Sequence, residues 1–254
     1  MDPINIVYGP PSNAGDQKVL MEEFTGVQCT FCPQGSDEIA SLISLNQGNV
    51  IAISIHAGFF ATPTPSNKFD FRTADGTELY TVLGAGASYP AAAINRTNFP
   101  PETGLINTQQ SWAGDIQQLR SVPAKAGLTV KTVYNATNRE LRITLTGIAK
   151  EDFNEKLLAN VMITESNIID WQKDVRDPSG HVTNYVHKHV FRDAITPVAG
   201  DEIVTNPKKG QSFSKEYVYT VSDAWIAENC NIVGFITYSS KKDIIQVNEA
   251  KVVE

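Results

Sequence analysis

The sequence predicts a fold in two parts, an α/β unit followed by a β-rich half. Two observations favour this class. Residues 18–56 show the pattern of a strand, a helix and a second strand. From about residue 126 the apolar side chains recur with a period of two, as in half-buried strands. A chain of 254 residues is long enough for two domains of ordinary size, each with its own core.

The first predicted strand is KVLMEEF, residues 18–24, in which no breaker interrupts the apolar side chains. TGVQ predicts a turn, and a helix is expected from Cys29 or Thr30 onward. Pro33 suits the first turn of that helix, where its missing N–H costs nothing. Apolar residues then recur at i, i+3 and i+4, which is one face of a helix: Ile39, Leu42 and Ile43.

The run NVIAISIH, residues 49–56, predicts a strand that is covered on both faces. Residues 57–76 predict an irregular insertion, expected to form a lid or a partner surface through Phe59, Phe60 and Phe69. A short helix over residues 77–83, a small-residue strand after Pro90 and a helix over residues 106–120 are expected to complete the α/β unit.

The second half predicts about seven short strands joined by turns. Such a run is typical of an antiparallel, immunoglobulin-like β-sandwich. Strands are expected at 126–134, 141–145, 157–164, 185–191, 213–221, 231–238 and 244–252. We therefore predict an N-terminal linker over residues 1–16, an α/β domain over residues 17–122 and a β-sandwich domain over residues 123–254.

Composition narrows the range of partners. The net charge is −7 and the chain has no run rich in Lys and Arg, so a nucleic-acid partner is not expected. No apolar run approaches the roughly 20 residues that cross a bilayer as a helix. The polar start of the chain does not resemble a secretory signal. It is consistent with a natural start and equally with a chain whose signal or lipoprotein leader has been removed.

Two of the three cysteines, Cys29 and Cys32, form a Cys-x-x-Cys pair, whereas Cys230 is expected to be a separate buried thiol. The pair is compatible with zinc binding, a structural disulfide or a redox disulfide. Zinc needs further ligands, and the chain has no second Cys-x-x-Cys pair. His187 and His189 lie far along the chain and are expected on one strand face. No metal site is therefore predicted, while a structural disulfide stays open.

A redox role is favoured by the expected position of the pair at a helix start. The positive end of the helix dipole stabilises a thiolate on Cys29, the first cysteine of the pair. Cys32 would lie one turn further along, where it can attack a mixed disulfide.

The segment VLMEEFTGVQCTFC resembles the active-site segment of the thioredoxin superfamily: a central strand, a short loop and a Cys-x-x-Cys pair that opens a helix. The resemblance implies that Cys29 attacks, that Cys32 resolves and that Glu23 exchanges a proton with Cys32. Glu22 is expected on the opposite face of the strand, so that only one of the two carboxyls points inward. The resemblance also implies a cis bond before Pro90, with the Tyr89 backbone binding substrate as an added strand. Thr30 and Phe31 replace the usual Gly-Pro between the cysteines, so the direction of electron flow stays open.

The whole chain resembles the Omp28-related outer-membrane lipoproteins of Bacteroidetes. The resemblance rests on EEFTGVQCTFCP, which is its most specific part, on YPAAAINR and, more loosely, on NYVHKHVFRDAI and VGFITYSSKKDIIQVNEAKV. It implies export to the periplasm or the outer membrane, with a lipid anchor on the precursor.

Two functions are thus expected. The first is a thiol–disulfide oxidoreductase that acts on protein thiols or disulfides, or on a redox partner protein, with the disulfide as its only redox group. The second is a cell-surface binding or adhesion lipoprotein whose disulfide is not catalytic. A thiol peroxidase is less favoured, because no Arg lies near Cys29 in the sequence.

Overall fold

The computed structural model describes residues 17–86, 88–101 and 103–254. The predicted linker, residues 1–16, lies outside the described residues. The first half contains, in order, β1 (Val19–Thr25), α1 (Cys32–Leu45), β2 (Val50–His56), α2 (Ala74–Leu83), β3 (Ala91–Ile94), β4 (Ile106–Thr108) and α3 (Trp112–Arg120), with single 3-10 turns at Phe59–Ala61 and Gln109–Ser111.

The second half consists almost entirely of strands. They are β5 (Ala126–Asn135), β6 (Glu140–Ala149), β7 (Lys156–Glu165), β8 (Ile168–Lys173), β9 (His181–His187), β10 (Val190–Ala194), β11 (Asp201–Thr205), β12 (Ser212–Thr220), β13 (Cys230–Tyr238) and β14 (Ile244–Lys251).

One mixed sheet runs through both halves. Its strands follow the order β14-β13-β7-β10-β2-β1-β3-β4, with β11 also paired to β7. The β1–β2 pair is parallel, as a strand–helix–strand unit requires, and β3 runs antiparallel to β1. Strand β10 joins the halves, because it pairs with β2 on one side and with β7 on the other. Strands β12, β6 and β5 form a separate three-stranded sheet, and β8 pairs with β9 as a hairpin.

Different elements pack against the two faces of the large sheet. Along β1, Val19 and Met21 contact the apolar faces of α1 and α3, whereas Leu20 and Phe24 point to the opposite side, toward α2. At the other end of the sheet, side chains of β7 and β13 pack against the three-stranded sheet. The two layers approach closely at Gly234, where a Cβ atom would lie 2.9 Å from Val130 Cγ2.

The strand–helix–strand prediction for residues 18–56 is confirmed, but several bounds differ from the prediction. The first helix begins at Cys32, not at Cys29 or Thr30. The second helix begins at Ala74, three residues before the predicted start at residue 77. The helix expected over residues 106–120 begins only at Trp112, because residues 106–108 pair with β3 as strand β4. The strand expected over residues 185–191 is broken at His189, whose backbone has a positive φ of 54°.

The β-rich half is confirmed, with ten strands in place of about seven. Several of them extend the sheet of the first half rather than closing a sandwich of their own. The domain boundary at residues 122 and 123 falls in the connection between α3 and β5, and the division into two domains stays a prediction.

Candidate functional site

The cysteine pair lies directly beyond the carboxyl end of β1. Cys29 and Cys32 are joined by a disulfide, with 5.4 Å between their Cα atoms. The Cys29 N–H donates to the Gly26 carbonyl in a tight turn, and Phe31 is the N-cap residue of α1. Cys29 thus precedes the helix, and Cys32 is its first residue. Both cysteines are buried, with exposed fractions of 3% and 2%.

The burial of the pair comes from the second half of the chain. Strand β8 runs beside the loop before the disulfide, and the Lys173 N–H donates to the Val27 carbonyl at 2.9 Å. The Gln172 side chain, itself buried, donates to the Cys29 carbonyl at 3.0 Å. Just past β8, the Val175 N–H donates to the Thr30 carbonyl at 3.1 Å. The β8–β9 hairpin therefore covers the cysteine loop.

Glu23 is completely buried on the α1 side of β1. Its Oε2 accepts a hydrogen bond of 2.9 Å from the Ser54 hydroxyl, and its Oε1 has no hydrogen-bond partner among the described residues. Burial raises the pKa of Glu23 to about 8, an effect that the Ser54 hydrogen bond opposes. The carboxyl therefore changes its protonation state close to neutral pH.

Gly35 places Glu23 beside the helix that carries Cys32. A Cβ atom on Gly35 would lie 3.3 Å from Glu23 Oε1 and 2.8 Å from Pro90 Cβ. The glycine, one turn along α1 from Cys32, thus brings the helix, the carboxyl and the proline together.

Glu22 is buried as completely as Glu23, although the sequence led us to expect that only one of them points inward. The Arg96 guanidinium binds Glu22 with two hydrogen bonds of 2.6 and 2.7 Å and lies over the Phe235 ring. The expectation was wrong because strands of the second half, among them β13, cover the other face of β1.

The Tyr89–Pro90 peptide bond is cis, as the resemblance implied. The Tyr89 hydroxyl donates to the Ala57 carbonyl at 2.7 Å, and its ring lies 5.6 Å from that of Phe60. In the cysteine loop, the Phe31 side chain is 53% exposed, and at the start of the insertion Phe59 is 82% exposed. Aromatic side chains are therefore available on the surface next to the cysteine pair.

Two histidines complete the buried surroundings of Cys32. His56, the last residue of β2, and His187, the last residue of β9, are both 4% exposed, with ring centroids 5.8 Å apart. Burial lowers the pKa of His187 to about 4 and lowers that of His56 well below its usual range. Both rings are therefore neutral at physiological pH.

Sequence reasoning missed His56 and Gln172, and it placed His187 on one strand face with His189. The break at His189 separates the two: His187 points toward Cys32, while His189 lines a different cavity. The only signal in the sequence that His56 is buried was its position at the end of the apolar run NVIAISIH.

Two aspartates in the loop after β8 and the third cysteine have structural roles. In the loop after β8, Asp174 accepts hydrogen bonds from Arg176, and Asp177 accepts them from Ser179. Cys230 is a buried free thiol, as expected, and burial raises its pKa to about 12. In the described part of the chain, no group of three or more His, Cys, Asp or Glu side chains is arranged to hold a metal ion.

The fold and the site define a class: a mixed-sheet protein with a buried disulfide at the end of its central strand. Residues 78–254 match the family model "Outer membrane protein Omp28", so the chain belongs to that family. The matched region lies downstream of the cysteine pair. It covers most of α2, then β3, β4 and α3, and the whole β-rich half. A comparison with curated proteins finds no match.

Solved structures support the fold over almost the whole chain. HBP35 of Porphyromonas gingivalis gives a TM-score of 0.73 at 18% identity, over 94% of this chain and 76% of that chain. Protein AGR_C_4864 from Agrobacterium tumefaciens gives 0.55 at 14% identity, over 95% and 96%. A domain of the outer membrane lipoprotein Omp28 from Porphyromonas gingivalis gives only 0.35 at 19% identity, over 51% and 88%, which is too low to bear on the fold.

Within the described residues, none of the helices has the length and the apolar character that a membrane crossing requires.

Proposed function

We propose that the protein is a thiol–disulfide oxidoreductase of the cell envelope that acts on protein cysteines through Cys29 and Cys32. Membership of the Omp28 family supports an envelope location, with the periplasm and the outer membrane both open. A thioredoxin-like plan for the first half is supported by the disulfide beyond the end of β1 and by the position of Pro90 beside α1.

One observation carries the proposal: a fully buried carboxyl, Glu23, lies against α1 close to the disulfide and has no ionic partner among the residues that the structure describes. Its pKa of about 8 makes it a proton donor and acceptor near neutral pH. A buried carboxyl in a merely structural position is normally paired, as Glu22 is with Arg96.

The reaction that we propose begins from the disulfide form. A substrate thiolate attacks the Cys29 sulfur, a new S–S bond forms between them, and the Cys29–Cys32 bond breaks. The Cys32 thiolate then takes the proton of Glu23. A second substrate thiolate attacks the substrate sulfur of the mixed disulfide and releases the Cys29 thiolate. Two electrons pass from the substrate thiols to the cysteine pair, and the reverse sequence reduces a substrate.

The surface beside the pair suits an extended protein substrate. Thr30 and Phe31 lie between the cysteines, and Phe31 offers an exposed aromatic ring. We propose that the Tyr89 backbone, before Pro90, pairs with the substrate chain as an added strand. The substrate is thus a protein cysteine, or the cysteine pair of a redox partner protein, and no cofactor other than the disulfide is required.

The test measures oxidation of a reduced protein dithiol and reduction of insulin by the wild type, Cys29→Ser, Glu23→Gln and Cys230→Ser. We expect turnover by the wild type and by Cys230→Ser, a loss in Cys29→Ser, and a rate in Glu23→Gln that is about 100-fold lower below pH 8. Equal rates for the wild type and Cys29→Ser would refute the proposal.

A second function is favoured by the burial of both sulfur atoms beneath the β8–β9 hairpin. In it the protein is a cell-surface binding or adhesion lipoprotein, and the disulfide only fastens the loop. The reduction potential separates the two: structural disulfides have potentials below about −300 mV, and exchangeable ones are higher. A value in the structural range, together with no turnover, would favour the binding function.

A further inference from the structure

A small cavity of about 20 Å³ lies between Cys32 and the second half of the chain. Its lining includes the Cys32, Ser54, His56, Tyr185 and His187 side chains. A cavity of this volume holds about one water molecule, provided that two to four polar groups face it. The lining supplies hydroxyls and imidazoles in that number.

Three polar atoms in and around this cavity have no hydrogen-bond partner among the described residues: Glu23 Oε1, His56 Nδ1 and His187 Nε2. Buried polar atoms are nearly always hydrogen-bonded, to protein or to water, since leaving one unpaired costs about 1–3 kcal/mol. Two of these atoms belong to residues that line the cavity, His56 and His187, and Glu23 is hydrogen-bonded to a third lining residue, Ser54. This arrangement indicates a hydration site.

The histidine rings are fixed in place. The centroid of the His187 ring lies 4.9 Å from that of the Phe71 ring and 4.8 Å from that of the Tyr185 ring. The His187 ring also makes a hydrogen bond with the Trp171 backbone. The His56 ring lies 4.8 Å from the Phe71 ring. Neutral imidazole has one donor and one acceptor nitrogen, so a ring held in this way can orient a water without adding charge.

We propose that His56 and His187 hold one water molecule beside Cys32, and that this water carries the proton between Cys32 and the Ser54–Glu23 pair. The two histidines are positioning residues, because they act through the water and not on the sulfur. The inference rests on the proposed function and adds a contribution to it from the C-terminal half of the chain, which supplies His187.

The transfer balances without any change of electrons. When the Cys32 thiolate is released, it accepts a proton from the water, the water takes one from the Ser54 hydroxyl, and Ser54 takes the carboxyl proton of Glu23. The Cys32 thiol and the Glu23 carboxylate result, while water and Ser54 are restored. A hydroxyl that both donates and accepts can perform this step in either direction.

Glu23 recovers its proton from solvent through a neighbouring cavity. That cavity, of about 210 Å³, shares Ser36, Ser54, Tyr185 and Lys188 with the smaller one and reaches the surface at Asp37. Five charged or titratable groups on the surrounding elements face this region, that is, the two histidines, Glu23 or the cavity. They are Asp70, Asp170, Tyr185, Lys188 and Arg192.

The experiment follows the reduction of the Cys29–Cys32 disulfide by dithiothreitol from pH 6 to 10, with rates expressed per dithiothreitol thiolate. The chains compared are the wild type, His187→Phe and the control His181→Phe, which makes the same change at the other end of β9. Phenylalanine keeps the aromatic packing of His187 and removes its nitrogens. Far-UV circular dichroism and urea midpoints establish that each chain is folded.

We expect the wild-type rate to change near pH 8, where Glu23 titrates, because below that pH the leaving Cys32 thiolate is protonated. In His187→Phe the rate below pH 8 should fall at least about tenfold and the inflection should disappear, while the rates above pH 9 coincide. His181→Phe should follow the wild type.

An unchanged profile in His187→Phe, or a rate that falls equally at every pH, would overturn the relay. If His187→Phe does not fold, Ser54→Ala interrupts the same path and should flatten the profile in the same way, and a retained inflection in it would also overturn the relay. A wild type that shows the inflection but no turnover of protein thiols would refute the proposed function and leave the relay in place.

Discussion

The buried carboxyl of Glu23 makes the stability of the protein depend on pH. Below pH 4.5 the carboxyl is protonated in both the folded and the unfolded chain. Between pH 4.5 and about 8 it ionises only in the unfolded chain, because burial raises its folded-state pKa from 4.5 to about 8. Stability is therefore lost as the pH rises through this window. At about 1.4 kcal/mol per pKa unit, the full loss is roughly 5 kcal/mol above pH 8.

The replacement Glu23→Gln removes this dependence while keeping the shape of the side chain. The free energy of unfolding is measured by urea titration at pH 5 and pH 9, with Cys230→Ser in all chains so that no free thiol exchanges with the disulfide. The two chains should be similar at pH 5, and Glu23→Gln should be more stable by up to roughly 5 kcal/mol at pH 9. Other titrating groups cancel in the difference.

Ser54→Ala provides the matched variant. It removes the hydrogen bond that lowers the pKa of Glu23, so the loss of stability should extend to higher pH than in the wild type. If the wild type and Glu23→Gln instead lose stability in parallel between pH 5 and 9, the reasoning about the buried carboxyl is refuted.

Three further predictions concern stability. Gly35→Ala should cost about 1–3 kcal/mol in urea denaturation, because the new methyl would lie 2.8 Å from Pro90 Cβ; a neutral result would contradict that contact. Glu22→Gln should cost roughly 3–5 kcal/mol in the same assay, since it leaves the buried Arg96 charge without its partner, whereas a loss below 1 kcal/mol would contradict this role. Burial lowers the pKa of His187 from 6.5 to about 4, so as the pH falls from 6.5 to 4 this side chain binds a proton only in the unfolded chain. His187→Gln should therefore remove an acid destabilisation of roughly 3 kcal/mol. If the free energies of unfolding of the wild type and His187→Gln depend on pH in parallel, this prediction is wrong.

Local patterns were sufficient to predict the strand–helix–strand unit. The uninterrupted apolar runs at the two strands and the i, i+3, i+4 spacing in the helix between them are short-range signals. The Cys-x-x-Cys pair is a motif of the same short range, whereas the place of Glu23 beside it was implied by the resemblance to the thioredoxin superfamily and not by spacing alone. The first helix nevertheless begins two or three residues later than expected, and the Cys29 N–H is engaged in a turn with Gly26.

The cover over the cysteine pair could not be predicted. Gln172 and Lys173 lie more than 140 residues from the loop that they bind. Both donate to backbone carbonyls of that loop, and hydrogen bonds to backbone acceptors leave no pattern in the sequence. The burial of Glu22 was missed for a related reason. It depends on Arg96 and on the strands of the second half that cover this face of β1, all of them far along the chain.

The loss of folding stability that the buried Glu23 carboxyl causes bears on the choice between the oxidoreductase and the binding lipoprotein. At pH 7 its raised pKa already lowers the stability of the fold by roughly 3 kcal/mol relative to an ordinary glutamate. A disulfide that only fastens a loop gains nothing from such a group, because its sulfurs never exchange a proton. An exchangeable disulfide needs one, since Cys32 takes up a proton whenever the pair is reduced. The burial of both sulfurs beneath β8 sets the opposite requirement, because Cys29 must become accessible before a substrate thiolate attacks it. Under the proposed function, the substrate therefore displaces the β8–β9 hairpin before Cys29 reacts.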